Sequence, residues 1–171
     1  MTRLQDCKVR KMVAADLEQV LEWRNHPDVR KYMYTQHEIT LEEHTRWFSR
    51  ACKDSKISLK VLEINGDPVG FLNIKQISTG KIAEWSFHVS PNAKKGTGYL
   101  LCSLALDYIF QELKMEKLNG EVISFNKKSI ALHEKLGFRQ EGVQINNYYR
   151  NGRYYDVYLF GITAADWRLS Q

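Results

Sequence analysis

The stretch from residue 82 to residue 125 constrains the fold most. It alternates over residues 82–89, breaks at Pro91, passes through Lys94-Lys95-Gly96-Thr97-Gly98, runs on as a long apolar segment over residues 98–113, and alternates again over residues 118–125. Strand, long helix and second strand in that order require a crossover, and a crossover lays the two strands parallel. The chain around this unit predicts antiparallel ribbons. Residues 57–64 and 69–77 flank Asn65-Gly66, Thr79-Gly80 turns the chain into the strand at 82, and residues 139–149 and 153–161 flank Asn151-Gly152. Asn-Gly between alternating runs is a strong hairpin signal, because both residues tolerate positive φ. Tyr148-Tyr149 and Tyr154-Tyr155 then face each other as cross-strand pairs.

Three further helices and a first strand complete the pattern. Residues 7–14 alternate. Leu17, Val20 and Leu21 recur at helical spacing over residues 16–23. Thr40 and Glu43 form a capping box ahead of a second helix. Residues 126–136 read as a helix with Asn126 as N-cap and Gly137 just past its end. Pro27, Pro68 and Pro91 each fall between periodic segments. The expected order, β-α-α-β-β-β-α-β-α-β-β, is a mixed α/β domain occupying residues 1–171.

Composition excludes several classes. Apolar residues make up 43% and charged residues 26% of the 171 residues, ordinary for a globular protein. No apolar run reaches the length of a membrane span, and Met1-Thr-Arg-Leu-Gln-Asp6 lacks the apolar core of a signal peptide, so a cytoplasmic protein is expected. Cys7, Cys52 and Cys102 are too scattered for a disulfide framework or a zinc site, and no metal is expected. The net charge of +5 is either a solubility surplus or an attraction for polyanionic small molecules. No dense basic run points to nucleic acid.

Two constellations carry chemistry. Lys94, Lys95, Gly96, Thr97, Gly98 and Tyr99 follow a strand and open a helix. Small residues there let backbone amides approach a phosphate, and the helix dipole favours the anion. A plain glycine-rich turn is the competing reading. It is neither a Walker loop nor a dinucleotide fingerprint, since Leu101 stands where a third glycine would be. In the second constellation, Asn126, Ser129 and His133 share one helix face with the apolar stripe. They belong either to a site or to a core in which the histidine bonds to backbone.

These residues resemble the GNAT superfamily of N-acetyltransferases. The matching parts are the strand ending Phe87-His88-Val89, the loop at residues 94–98, and Asn126…Ser129…Leu136-Gly137-Phe138. The resemblance implies a mixed central sheet with a V-shaped splay at an acetyl-CoA site. It implies that Phe87, His88 and Val89 bind the pantetheine arm. Lys94, Lys95, Gly96, Thr97, Gly98 and Tyr99 would bind the pyrophosphate, and Asn126 and Ser129 would face CoA. The sequence departs at Ala93, where the family carries Gln or Arg, and at His133, where many members carry a proton-donating tyrosine. His133 is therefore the expected general acid, and Glu121 or Glu84 the expected general base.

Arg24-Asn25-His26-Pro27, Met33-Tyr34-Thr35 and Ile39-Thr-Leu-Glu-Glu-His44 resemble the branch that acetylates the 4-amino group of UDP-4-amino-4,6-dideoxy-N-acetyl-β-L-altrosamine in pseudaminic acid biosynthesis. That likeness implies a nucleotide-sugar substrate contacted by Arg24, His44 and His88. Arg24 and His44 also fall on the apolar faces of their own helices, where polar groups are candidates for a site. Competing readings are a peptide N-terminal acetyltransferase and a non-catalytic acyl-CoA sensor. No nucleic acid or membrane partner is expected, and a homodimer is left open.

Overall fold

The computed structural model describes residues 6–171; residues 1–5, most of the stretch read above for a signal core, lie outside them. The chain packs as two compact units, one comprising the described residues up to Lys75 with Ser86–Ala105, the other Gln76–Trp85 with Leu106–Gln171.

In the first unit β1 (Cys7–Lys11) pairs antiparallel with β2 (Ile57–Ile64), and β2 with β3 (Asp67–Gln76). Asn65 (φ 54°) and Gly66 (φ 88°) make the tight turn between β2 and β3. The second half of β4 (Ile82–Val89) lies next to β3. The helices are α1 (Leu17–Asn25), α2 (Pro27–Arg30), α3 (Leu41–Ala51) and the start of α4 (Thr97–Asp107). Met12, Val20, Trp23, Ala51, Leu59, Val61 and Phe71 form their core.

The second unit begins with the first half of β4, parallel to β5 (Lys117–Ile123) through Ile82↔Lys117, Ala83↔Leu118 and Glu84↔Asn119. Helix α5 (Lys127–Lys135) follows, then β6 (Arg139–Arg150), β7 (Arg153–Thr163) and α6 (Ala164–Leu169). Strand β7 lies antiparallel between β5 and β6. Strand order is thus β1-β2-β3-β4 in one unit and β4-β5-β7-β6 in the other, a mixed α/β arrangement with one parallel crossover. Asn151 (φ 50°) and Gly152 (φ 76°) turn the last hairpin, which pairs Tyr148 with Tyr155 and Tyr149 with Tyr154.

Several boundaries differ from the expected ones for local reasons. Strand β1 stops at Lys11, before residue 14, because the Asp16 carboxylate accepts the Val13 N–H at 2.8 Å and holds Arg10 at 2.8 Å, curling the chain into a 3₁₀ turn. Pro27 starts α2 rather than breaking the chain, with His26 Nδ1 accepting from the Asp28 amide. Pro68 lies inside β3, where the register with β2 shifts at Leu62/Glu63; such irregular positions tolerate a missing donor. Left-handed φ before β4 is carried by Lys81 (58°) rather than Gly80. Helix α4 widens into a π turn at Tyr108–Glu112. Helix α6, unexpected from the pattern, is capped by Thr163 accepting from the Asp166 amide.

Candidate functional site

A cavity of about 450 Å³ opens in the first unit, lined by Arg24 of α1, His44 and Trp47 of α3, Phe71 and Asn73 of β3, and His88 of β4, among others. Local chemistry positions each. The capping box fixes the start of α3 four residues ahead of His44: Thr40 N–H donates to Glu43 Oε2 (2.8 Å) and Glu43 N–H to Thr40 Oγ1 (3.1 Å). Asn25 pins the α2–α3 connection by donating to Ile39 O and accepting from Ile39 N–H, both at 2.8 Å. His44 stacks on Trp47 at 5.1 Å, and Phe71 lies 5.2 Å from His88. The three residues singled out for the acceptor, Arg24, His44 and His88, therefore share one cavity.

Among the described residues, four buried polar atoms of its lining are unsatisfied. Arg24 Nη1, His44 Nε2, His88 Nε2 and Asn73 Oδ1 are buried without a hydrogen-bond partner. Leaving such groups bare costs about 1–3 kcal/mol each, more for a charge, so a polar group entering the cavity would be favoured there. The second amino group of Arg24 does have a partner, donating to Thr35 O at 3.3 Å. Burial, then the nearby Arg24 charge, pulls the His88 pKa down to about 3 against the opposing hydrogen bond to Val20. His44 is lowered mainly by burial, and Arg24 by burial and the charge of Arg30. Both imidazoles are thus neutral at pH 7. The only carboxylate lining the cavity among the described residues, Glu43, is engaged by the Thr40 amide and lies 3.3 Å from His37.

The glycine loop lies in the same unit. Gly96 has φ +96°, and a Cβ there would meet nothing within 4 Å, so glycine serves the backbone conformation and leaves the approach open. Lys94, Lys95 and Tyr99 are exposed and Gly98 half-buried. Thr97 is turned inward, its hydroxyl donating to Lys94 O at 2.7 Å, so it closes the turn rather than facing outward. The Thr97 amide donates to Lys94 O at 3.1 Å and the Leu100 amide to Gly96 O at 3.0 Å, so the loop and the first turn of α4 are tied together. Gly70, which the pattern did not single out, lets β3 approach its neighbours: a Cβ would lie 3.1 Å from Leu101 and 3.5 Å from His88 O. Phe87, His88 and Val89 end β4 in this unit.

The second unit holds the remaining candidates. Asn126 caps α5, accepting from the Ser129 amide at 3.2 Å. Glu84 is exposed opposite Asn119, and Glu121 exposed opposite Leu159. His133 lies deep in this unit. Its residue is 2% exposed. Trp85 Nε1–H donates to His133 Nε2 at 3.2 Å, and His133 Nδ1–H donates to Ser129 O at 2.8 Å. Phe138 and Phe160 enclose the ring at 4.9 and 5.2 Å, and burial lowers its pKa. With both ring nitrogens engaged, by Trp85 and by the Ser129 carbonyl, His133 has the packing of a core histidine. Gly120 makes room for it: a Cβ would stand 2.7 Å from His133 Nε2 and 2.9 Å from Trp85 Nε1.

Among the described residues no group of three His, Cys, Asp or Glu side chains is placed to hold a metal ion, and no helix is long and apolar enough to cross a membrane.

Comparison with known proteins adds four findings. The profile of an acetyltransferase (GNAT) domain matches residues 9–159. The chain is 30% identical over 123 residues to the acetyltransferase PseH of Campylobacter jejuni subsp. jejuni serotype O:23/36 (strain 81-176), covering 72% of this chain and 76% of that one. It is 28% identical over 149 residues to spermidine N(1)-acetyltransferase of Escherichia coli (strain K12), covering 86% and 80%. A crystal structure of spermidine N-acetyltransferase from Vibrio cholerae in complex with CoA and spermine has the same fold, with a TM-score of 0.89 at 24% identity over 96% of this chain and 99% of that one.

Proposed function

We propose, for a chain that belongs to the GNAT acetyltransferase family and is an acetyl-CoA-dependent N-acetyltransferase, that the acceptor is an amine attached to an anionic group: the 4-amino group of a UDP-linked 4-amino-4,6-dideoxy sugar, as in pseudaminic acid biosynthesis. One observation carries the choice. Arg24 Nη1 is buried at the cavity wall with no partner. A guanidinium suits a diphosphate, which it meets with paired, charge-assisted bonds. The spermidine acetyltransferases are the rival reading, supported by their coverage of the chain and the shared fold. A polyamine would bring positive charge toward Arg24, and the one carboxylate lining the cavity, Glu43, is already engaged.

The residues present fit acetyl-CoA. Gly96 is open in a left-handed conformation, Lys94 and Lys95 are exposed beside it, and the amides of Gly98 and Tyr99 start an eleven-residue helix. In this reading they seat the pyrophosphate, while the backbone of Phe87, His88 and Val89 holds the pantetheine arm and offers an N–H to the developing oxyanion. Asn126 and Ser129 are further cofactor candidates on the family resemblance alone. Bound acetyl-CoA supplies the thioester carbonyl that the neutral amine attacks. Glu121 or Glu84 takes the proton the amine loses. A free thiol has a pKa of about 8.5, so the thiolate departs near neutral pH without an obligatory donor, consistent with the closed environment of His133.

The test is free-thiol release from acetyl-CoA with a UDP-linked 4-amino sugar, spermidine, or a peptide amine as acceptor. Release with the sugar nucleotide, lost in Arg24→Leu, is the expected result. Turnover of spermidine with none of the sugar nucleotide would overturn the assignment.

A further inference from the structure

The four unpartnered atoms of the cavity differ in polarity. Arg24 Nη1 can only donate, and Asn73 Oδ1 can only accept. His44 and His88 each have a hydrogen bond to the backbone of α1, at Leu17 and Val20 respectively, while Nε2 of each ring is left without a partner. A neutral imidazole that donates through Nδ1 carries a lone pair on Nε2. The cavity therefore offers one cationic donor and three acceptors, drawn from α1, α3, β3 and β4.

We propose that Asn73, with His44 and His88, is a specificity-determining residue that reads hydroxyl or N–H donors on the group adjoining the anion held by Arg24, so that the site takes a sugar phosphate rather than a bare polyphosphate or a polyamine. An all-acceptor anion satisfies Arg24 and leaves three acceptors facing oxygen. A polyamine supplies donors and sets its charge against the guanidinium. A hydroxyl-bearing phosphate ester satisfies both sides. Asn73 acts through hydrogen bonding alone, since its side chain has no charge to lend. The other ionisable groups lining the cavity, His37 and Glu43, lie near each other at 3.3 Å and do not alter this balance. The inference rests on the reading above that Arg24 meets an anionic acceptor.

Calorimetry on the full chain separates the two. UDP, inorganic pyrophosphate and spermidine are titrated into wild type, Asn73→Leu and Arg24→Leu, with acetyl-CoA binding and thermal midpoint as controls for folding. Wild type is expected to bind UDP at least about tenfold tighter than pyrophosphate. Asn73→Leu is expected to lose about tenfold for UDP, with pyrophosphate and acetyl-CoA unchanged, and to raise the acceptor KM without lowering kcat. Arg24→Leu should weaken both anions. UDP binding that depends on Arg24 but is indifferent to Asn73 overturns this inference and leaves the anionic acceptor standing. Absence of UDP binding in a folded protein that binds spermidine overturns both.

Discussion

Acid sensitivity gives a direct measure of how dry the cavity is. Burial and the Arg24 charge hold the His88 pKa at about 3, against 6.5 for an ordinary histidine. The unfolded chain therefore binds a proton at His88 that the native state refuses at any pH between these two values. Stability from this group is intact above the unfolded value and is lost as pH falls toward the folded one. Each pH unit inside the window costs about 1.4 kcal/mol. Between pH 7 and pH 5 the loss is about 2 kcal/mol, an upper bound because His88 is half-buried as a residue even though its Nε2 is sealed. For a chain of this size that lowers Tm by roughly 4–8 °C. The carboxylates of Asp16 and Glu63 are held low by Arg10, so their losses come later, below the usual carboxylate range. His44 and His133 shift in the same direction as His88 and add to the wild-type slope. The comparison that isolates His88 is therefore His88→Gln, which keeps a polar side chain and removes the titration. Thermal melts of both proteins from pH 8 to pH 5 should show a flatter profile for the variant. Parallel profiles would refute the argument, since they would mean that His88 titrates normally and that the cavity is wet.

Four other outcomes follow from the geometry. Gly120→Ala drives a methyl group into His133 and Trp85, at 2.7 and 2.9 Å, and should cost roughly 1–3 kcal/mol in a denaturant titration. His133→Phe strips the Trp85 N–H of its acceptor and should lower stability by about 1–3 kcal/mol while kcat per folded molecule stays the same; a fall in kcat would restore His133 to the mechanism. Thr40→Ala removes one half of the capping box and should cost about 1 kcal/mol, seen as a lower Tm. Glu121→Gln should change the pH dependence of the rate, and an unchanged profile would pass the role of base to Glu84.

What the sequence revealed was local. Asn65-Gly66 and Asn151-Gly152 announce their turns because two adjacent residues satisfy the conformation by themselves. Thr40 and Glu43 announce α3 because the reciprocal bonds close over three residues. The Asp16 curl after β1 was missed because its stabilising partner, Arg10, belongs to the strand it ends. Gly70 was missed for a similar reason: its role is set by Leu101 and the β4 backbone, which no spacing within β3 encodes. Asn73 gives no signal in its own segment, since alternation assigns it a face and says nothing of the helices that cover that face.

His133 and Arg24 show where this boundary falls for chemistry. Both are polar residues on an inward helical stripe, and periodicity alone treats them alike. Trp85 lies 48 positions before His133 in the chain and supplies its second hydrogen bond, so both ring nitrogens are engaged. Arg24 Nη1, His44 Nε2 and His88 Nε2 are also buried atoms and find nothing. Burial alone therefore does not tell these polar residues apart; satisfaction of their hydrogen bonds does. Such satisfaction is a property of partners distant in sequence, which is why periodicity places Arg24, His44 and His133 alike on inward helical faces, and only the fold brings Arg24 and His44 together with His88 in one cavity.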